Sequence, residues 1–194
     1  MSAVRGFRES RLRGMKSRFF VSGVLLSLAA CVSSAALAAR DTGLEQLAIS
    51  EGSWVYHGQV LGDAKSHPTD FVWHADCRWS ANRAFMMCSF ANTWGGKHLN
   101  SLVVDTFNPR DKAFWHYEIF EDGDTPDKPF ASKMQIDGPT RTEEWTESRH
   151  GKSVRQRIVY QFASDKKVAV SFLQSEDGKT WKTTASGTGE KTGP

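Results

Sequence analysis

The chain has 194 residues, 24% of them charged and 39% apolar, enough for one ordinary domain with a core and a short targeting segment. Gly and Pro together make 22 residues, which excludes a low-complexity or collagen-like chain, and the length excludes a TIM barrel or a two-domain Rossmann enzyme. The formal charge of +3 arises in the first 38 residues, where Arg5, Arg8, Arg11, Arg13, Lys16 and Arg18 face only Glu9; without them 19 basic and 21 acidic residues remain, about −2, which offers nucleic acid no electrostatic footprint.

Residues 19–39 carry no charge, follow a basic stretch and end in small residues, the layout of a secretory signal. Residues 1–38 are therefore expected to be a signal peptide, cut after Ala36-Leu37-Ala38 so that the exported, periplasmic or secreted protein starts at Ala39. Leu28-Ala29-Ala30-Cys31 resembles a bacterial lipobox, which implies an alternative in which Cys31 is lipidated and tethers the protein to a membrane. Residues 39–51 form a lead-in. Within it Leu44, Leu47 and Ala48 have helical spacing, and Asp41 or Thr42 is placed to cap a short helix.

From Gly52 the chain reads as strands, near 52–61, 69–80, 84–94, 98–107, 112–121, 129–137, 140–148, 152–163, 166–175 and 178–188. Turn chemistry separates them, as in Asn82-Arg83, Gly95-Gly96, Asp137-Gly138-Pro139 and Asp177-Gly178. In Phe71-Val72-Trp73-His74-Ala75-Asp76-Cys77-Arg78-Trp79 the odd positions are apolar; in 154–162 the even positions are, with Gln156 the exception. A one-sided apolar face on nearly every strand needs a closed or sandwiched sheet, and no helical pattern lies between strands. The fold expected over 52–190 is all-β, an antiparallel up-and-down barrel of about ten strands after a short N-terminal helix. Gly187-Thr188-Gly189 reads as a frayed end.

If Asn82-Arg83 turns a hairpin, positions summing to 165 face each other, so Cys77 opposes Cys88. In an oxidising compartment that pair is expected to form a disulfide, the alternative being two buried thiols. The chain has no C-x-x-C, H-E-x-x-H or G-x-S-x-G and no phosphate-binding glycine loop. No metal or cofactor is expected, and enzymatic function finds no motif. Glu143 and Glu144 are adjacent on a strand and point to opposite faces. The acidic run from Glu121 to Asp127 lacks the spacing of a calcium loop and reads as a solvated turn. His74 falls on a polar face. His116 alternates with a face carrying Trp115, Tyr117 and Ile119: with Trp115 inward His116 is outside, and with the strand flipped His116 and Glu118 become a buried acid–base pair.

Gly52-Ser53-Trp54 after a short helical lead-in, followed by an all-β meander with a late Asp177-Gly178 turn, resembles the calycin superfamily of lipocalins and fatty-acid-binding proteins, and more closely an uncharacterised bacterial family of secreted lipocalin-like barrels. The resemblance implies a ligand cavity inside the barrel. In lipocalins a basic residue of the last strand packs over the first-strand Trp; here no Arg follows Arg157, leaving Lys179, Lys182 or Lys191. The haem-binding ten-stranded nitrobindins are also similar, but place an axial His late, whereas the last His here is His150 in a turn.

The aromatic residues carry the functional expectation. Trp54, Tyr56, Trp73, Trp79, Met86, Phe90, Trp115, Tyr117, Tyr160 and Phe172 are expected on inner faces, lining a site for a small apolar or amphipathic molecule. The rival expectation is an envelope-associated structural or interaction protein whose rings fill the core.

Overall fold

A computed structural model describes residues 43–62, 67–94, 96–121, 130–149 and 151–194. The chain divides into two units, Met1–Ala39 and Arg40–Pro194. The expected signal peptide, its cleavage point, Cys31, His150 and most of the acidic run after Glu121 lie outside the described residues.

Ten antiparallel strands close into a barrel: β1 (Gly52–Val60), β2 (Thr69–Trp79), β3 (Met86–Trp94), β4 (Lys97–Asn108), β5 (Ala113–Phe120), β6 (Phe130–Asp137), β7 (Thr140–Arg149), β8 (Lys152–Ser164), β9 (Lys167–Ser175) and β10 (Lys182–Gly193). Each strand pairs with its neighbours in sequence, and β1 pairs with β10 to complete the ring. Alternation fixes which way each strand faces. On β2 Phe71, Trp73, Ala75 and Cys77 are buried while His74, Asp76 and Arg78 are exposed. On β8 Val154, Gln156 and Phe162 are buried, so Gln156 keeps the inward parity and satisfies its amide on Glu147 at 2.9 Å.

The register of β2 and β3 sets Cys77 opposite Cys88, with Cα atoms 4.0 Å apart and a disulfide between them. The turn is wider than two residues. Trp79 and Met86 are the last pair, and Ser80 organises the bend: its N–H donates to the Phe85 carbonyl at 2.9 Å and its hydroxyl accepts from the Ala84 N–H at 3.0 Å.

A 3-10 helix over Leu44–Ser50 precedes β1 and plugs one end of the barrel. Leu47 is buried, and Leu44 and Ile49 pack on the core. The N-cap of the helix is Gly43, whose left-handed φ of 78° favours glycine, and the expected caps Asp41 and Thr42 lie outside the described residues. The Ser50 carbonyl then accepts the Trp54 indole N–H at 3.0 Å, tying plug to barrel.

The last strand corrects two expectations. Residues 178–181 belong to the β9–β10 turn rather than to a strand, because Asp177 accepts from the N–H groups of Lys179 and Thr180 at 2.8 and 2.7 Å and folds the chain on itself. Gly187-Thr188-Gly189 is not a frayed end but the middle of β10, paired with β1. Its glycines make room for rings. A methyl at Gly187 would sit 2.4 Å from the His57 carbonyl oxygen and 2.8 Å from Phe71, and one at Gly189 2.6 Å from Tyr56. Gly58, the partner of Gly187, lies under the same Phe71 ring.

Candidate functional site

The barrel interior is filled at the plugged end and hollow toward the other. A cavity of about 420 Å³ lies toward the end where β1, β3, β5, β7 and β9 finish, lined by Trp94, Leu99, Phe120, Phe130, Arg149 and Thr184 near the rim and by Trp73, Val103, His116 and Tyr160 deeper in. One wall is a ring cluster. Trp73 and Trp94 stack with centroids 5.7 Å apart and planes at 16°, Phe71 stacks on both, and Phe172 meets both edge-on at 5.2 Å. Opposite stand Phe130 and Trp145, edge to face at 5.2 Å. Offset and edge-on contacts are the geometries rings prefer, so this lining is cohesive without a guest.

The base of the cavity is ionic. Register brings Asp105 of β4 opposite His116 of β5, and Arg141 and Glu143 of β7 complete a belt. Arg141 donates through Nη2 to Asp105 at 2.7 Å and to Glu143 at 2.9 Å, through Nε to Glu143 at 3.2 Å, and through Nη1 to the Ser50 hydroxyl at 3.4 Å. His116 Nδ1 lies 2.8 Å from Asp105 and 3.6 Å from Glu143. Its Nε2 is 4.0 Å from Glu118, whose other oxygen accepts from the Ser101 hydroxyl at 2.7 Å.

Proximity sets the charge states. Burial would push His116 down, but the Glu143 charge, the hydrogen bond to Asp105 and the nearby Glu118 carboxylate outweigh it, and its pKa rises to about 10. Burial would push Asp105 up, but the Arg141 charge and the bonds from His116 and Arg141 hold it below the usual carboxylate range. Burial raises Tyr56 to about 12, and Tyr160 well above its ordinary value, so both phenols stay neutral. His116 is thus an imidazolium at neutral pH: an acid and a donor, but a spent base.

Of the residues expected to line the site, Trp73, Phe90, Tyr160 and Phe172 do so. Trp54, Tyr56 and Met86 are buried toward the plugged end, where Trp54 packs edge-on against Phe162 at 5.9 Å. Trp79 does not line the cavity; it sits under the Arg83 guanidinium at 4.6 Å. Trp115 and Tyr117 are corrected outright. They stack on each other at 6.1 Å on the outer face, where Lys133 lies 5.3 Å over Trp115 and Asp111 accepts its indole N–H at 3.0 Å. The inward face of β5 is the polar one, carrying His116 and Glu118.

Sequence reading missed Trp94, Phe130 and Trp145 on the walls and Asp105, Arg141 and Glu143 in the belt. Trp94 shares parity with Phe90 on β3, so its signal was present, whereas Trp145 shares parity with the charged Arg141 and Glu143 on β7, which reads as an outward face. The Asp105–Arg141 pairing spans strands that are not neighbours, and no local pattern carries it. Among the described residues, no group of three His, Cys, Asp or Glu side chains is arranged to hold a metal ion.

No protein-family model matches the chain, and no curated protein matches it. Among solved structures it is similar to Rv2717c from M. tuberculosis, with 11% sequence identity and a TM-score of 0.50 over 77% of this chain and 97% of that one. A protein of unknown function from the DUF3598 family of Nostoc punctiforme also matches, with 6% identity and a TM-score of 0.22 over 78% of this chain and 100% of that one. At 11% identity the likeness to Rv2717c is one of fold alone, and what the chain can be called is an all-β protein built as a closed antiparallel barrel of ten strands.

Proposed function

We propose that the protein is an exported, calycin-like barrel that binds a small apolar or amphipathic molecule in its interior. The observation that carries this reading is the cavity of about 420 Å³ with Trp73, Trp94 and Phe172 on one wall and Phe130 and Trp145 on the other. That volume suits a ligand of modest size, and an interior built as a filled core would not leave it. Lys191 supports the calycin likeness: it faces Trp54 across the β1–β10 pair and its ammonium lies 5.9 Å over the indole, where the lipocalin pattern has a basic residue. Export and the choice between a free form and a Cys31 tether rest on residues 1–38 of the sequence.

The test is a titration with N-phenyl-1-naphthylamine, a neutral apolar probe. Saturable one-to-one fluorescence enhancement with quenching of Trp emission is expected, weakened in Trp73→Ala. A linear, unsaturable response would refute the reading. Native mass spectrometry of protein purified from its own host would show what stays bound.

A further inference from the structure

The two indoles of the cavity wall lie side by side on a third ring. Phe71 stacks on Trp73 at 4.7 Å and on Trp94 at 5.1 Å, with planes at 26° and 17°, and the indoles are 5.7 Å apart with planes at 16°. Parallel rings in contact are about 3.5 Å apart, so indoles on opposite faces of Phe71 would have centroids about 7 Å apart. At 5.7 Å they share one face of Phe71. Phe71 rests on the bare backbone of Gly58 and Gly187, is 1% exposed and does not line the cavity, whereas both indoles do. The indole faces turned away from Phe71 are therefore the ones that front the cavity, and together they make a flat wall.

The neighbouring rings leave that wall open. Phe172 is edge-on to both indoles, but its centroid is 6.3 Å from Phe71. Standing over the free indole faces, it would be about 8 Å from Phe71, so it abuts the indoles from the side. Tyr56 reaches Trp73 from the plugged end, tilted and at 5.8 Å. The charges of the lining, meanwhile, cancel. Arg149, Arg157 and the His116 imidazolium stand with Glu118, Glu143 and Glu147, and behind them Arg155 and Arg157 share Glu144. A charged guest finds no unmatched counterion there, and an uncharged one avoids the cost of leaving water.

We propose that the ligand of this cavity is an uncharged, flat, fused-ring aromatic molecule that lies on the free faces of Trp73 and Trp94, with Phe130 and Trp145 across from it. The inference rests on the binding reading above and narrows it to one chemical class. A flat guest covers both indoles at once in the offset geometry that rings prefer, and it loses no internal rotation on entering. A puckered ring holds part of its carbon frame off the wall, and a chain immobilises many bonds to cover the same area.

The experiment compares 2-naphthol, decahydro-2-naphthol and 1-decanol by isothermal calorimetry with the whole protein at pH 7, each below its solubility limit. The three share ten carbons and one hydroxyl and differ in flatness. Transfer out of water favours the two saturated alcohols, so shape and transfer give opposite orders. 2-Naphthol should bind one to one and about tenfold more tightly than either of them. 2-Naphthoate and 2-naphthylmethylammonium keep the ring and add a charge of either sign, and both should bind more weakly than 2-naphthol. Trp94→Leu should shrink the preference for 2-naphthol over the saturated alcohols to less than threefold, and Trp94→Phe, which keeps a flat ring, should retain most of it. A saturated alcohol or a charged naphthalene binding as tightly as 2-naphthol would overturn the assignment and leave the binding barrel standing. A preference unchanged in Trp94→Leu would also overturn it, by placing the ring elsewhere. Failure of all five compounds to bind would overturn both readings.

Discussion

On β2, Phe71, Trp73 and Cys77 face the interior and His74, Asp76 and Arg78 face out; on β5, His116 and Glu118 face the interior and Trp115, Tyr117 and Ile119 face out. Both strands alternate with period two, and the sense is opposite. The half of the barrel built from β2, β3 and β9 buries rings and presents polar groups to water. The half built from β4, β5 and β7 buries an ionic belt and leaves Leu102, Tyr117 and Ile119 exposed. Alternation gives the period of a strand but not its sign. The sign is supplied by the assumption that apolar means inside, which fails where a strand carries the polar floor of a cavity.

The sharpest way to break this contrast is to remove its central cation. Arg141→Met should destabilise the protein by about 3–5 kcal/mol, because Asp105 and Glu143 are then buried without their partner. The loss is read from urea unfolding midpoints; a change below about 1 kcal/mol would mean that the belt is wetter than its burial implies.

The ionic half should also make stability depend on pH. His116 rises from 6.5 to about 10 on folding, so the ion pairs it makes contribute fully below pH 6.5 and are lost as pH rises toward 10. Stability should therefore fall between pH 7 and 10, and His116→Gln should flatten that slope. An unchanged slope would show that His116 does not carry the charge in the folded state.

On the aromatic side the Cys77–Cys88 bridge closes a short loop, and replacing both by Ala should cost about 2–4 kcal/mol. The smallest effect belongs to the outer face of β5. Trp115→Ala should change stability by no more than about 1 kcal/mol and leave N-phenyl-1-naphthylamine binding intact, whereas Trp73→Ala weakens that binding. Equal losses from the two variants would erase the inside–outside distinction.

Strand count, spacing and the 77–88 register were legible because turn residues punctuate the chain at short intervals and β2 has an unambiguous apolar face. The β9–β10 boundary was not, because Asp177-Gly178 opens a six-residue turn that the dipeptide alone does not measure. The glycines of β10 misled because they read as a loose tail, and their purpose lies in the rings of β1 and β2 above them. Half of the ring wall was legible through Trp73 and Phe172. Of the ionic belt only the inward His116 and Glu118 were legible, as one of two orientations of β5; Asp105, Arg141 and Glu143 were not, because they look like surface residues until the barrel closes around them.

The pairing of β1 with β10 bears on how the molecule assembles. Every other strand pair is made of strands consecutive in sequence, while this one brings Trp54 to Lys191 from opposite ends of the barrel sequence. Local hairpins lose little chain entropy on forming, and the distant pair loses the most, so the seam should close last and set the folding rate. Where that seam is open the barrel is a sheet with two bare edges able to recruit other chains. Hydrogen exchange should accordingly find the amides shared by β1 and β10 less protected than those shared by β7 and β8.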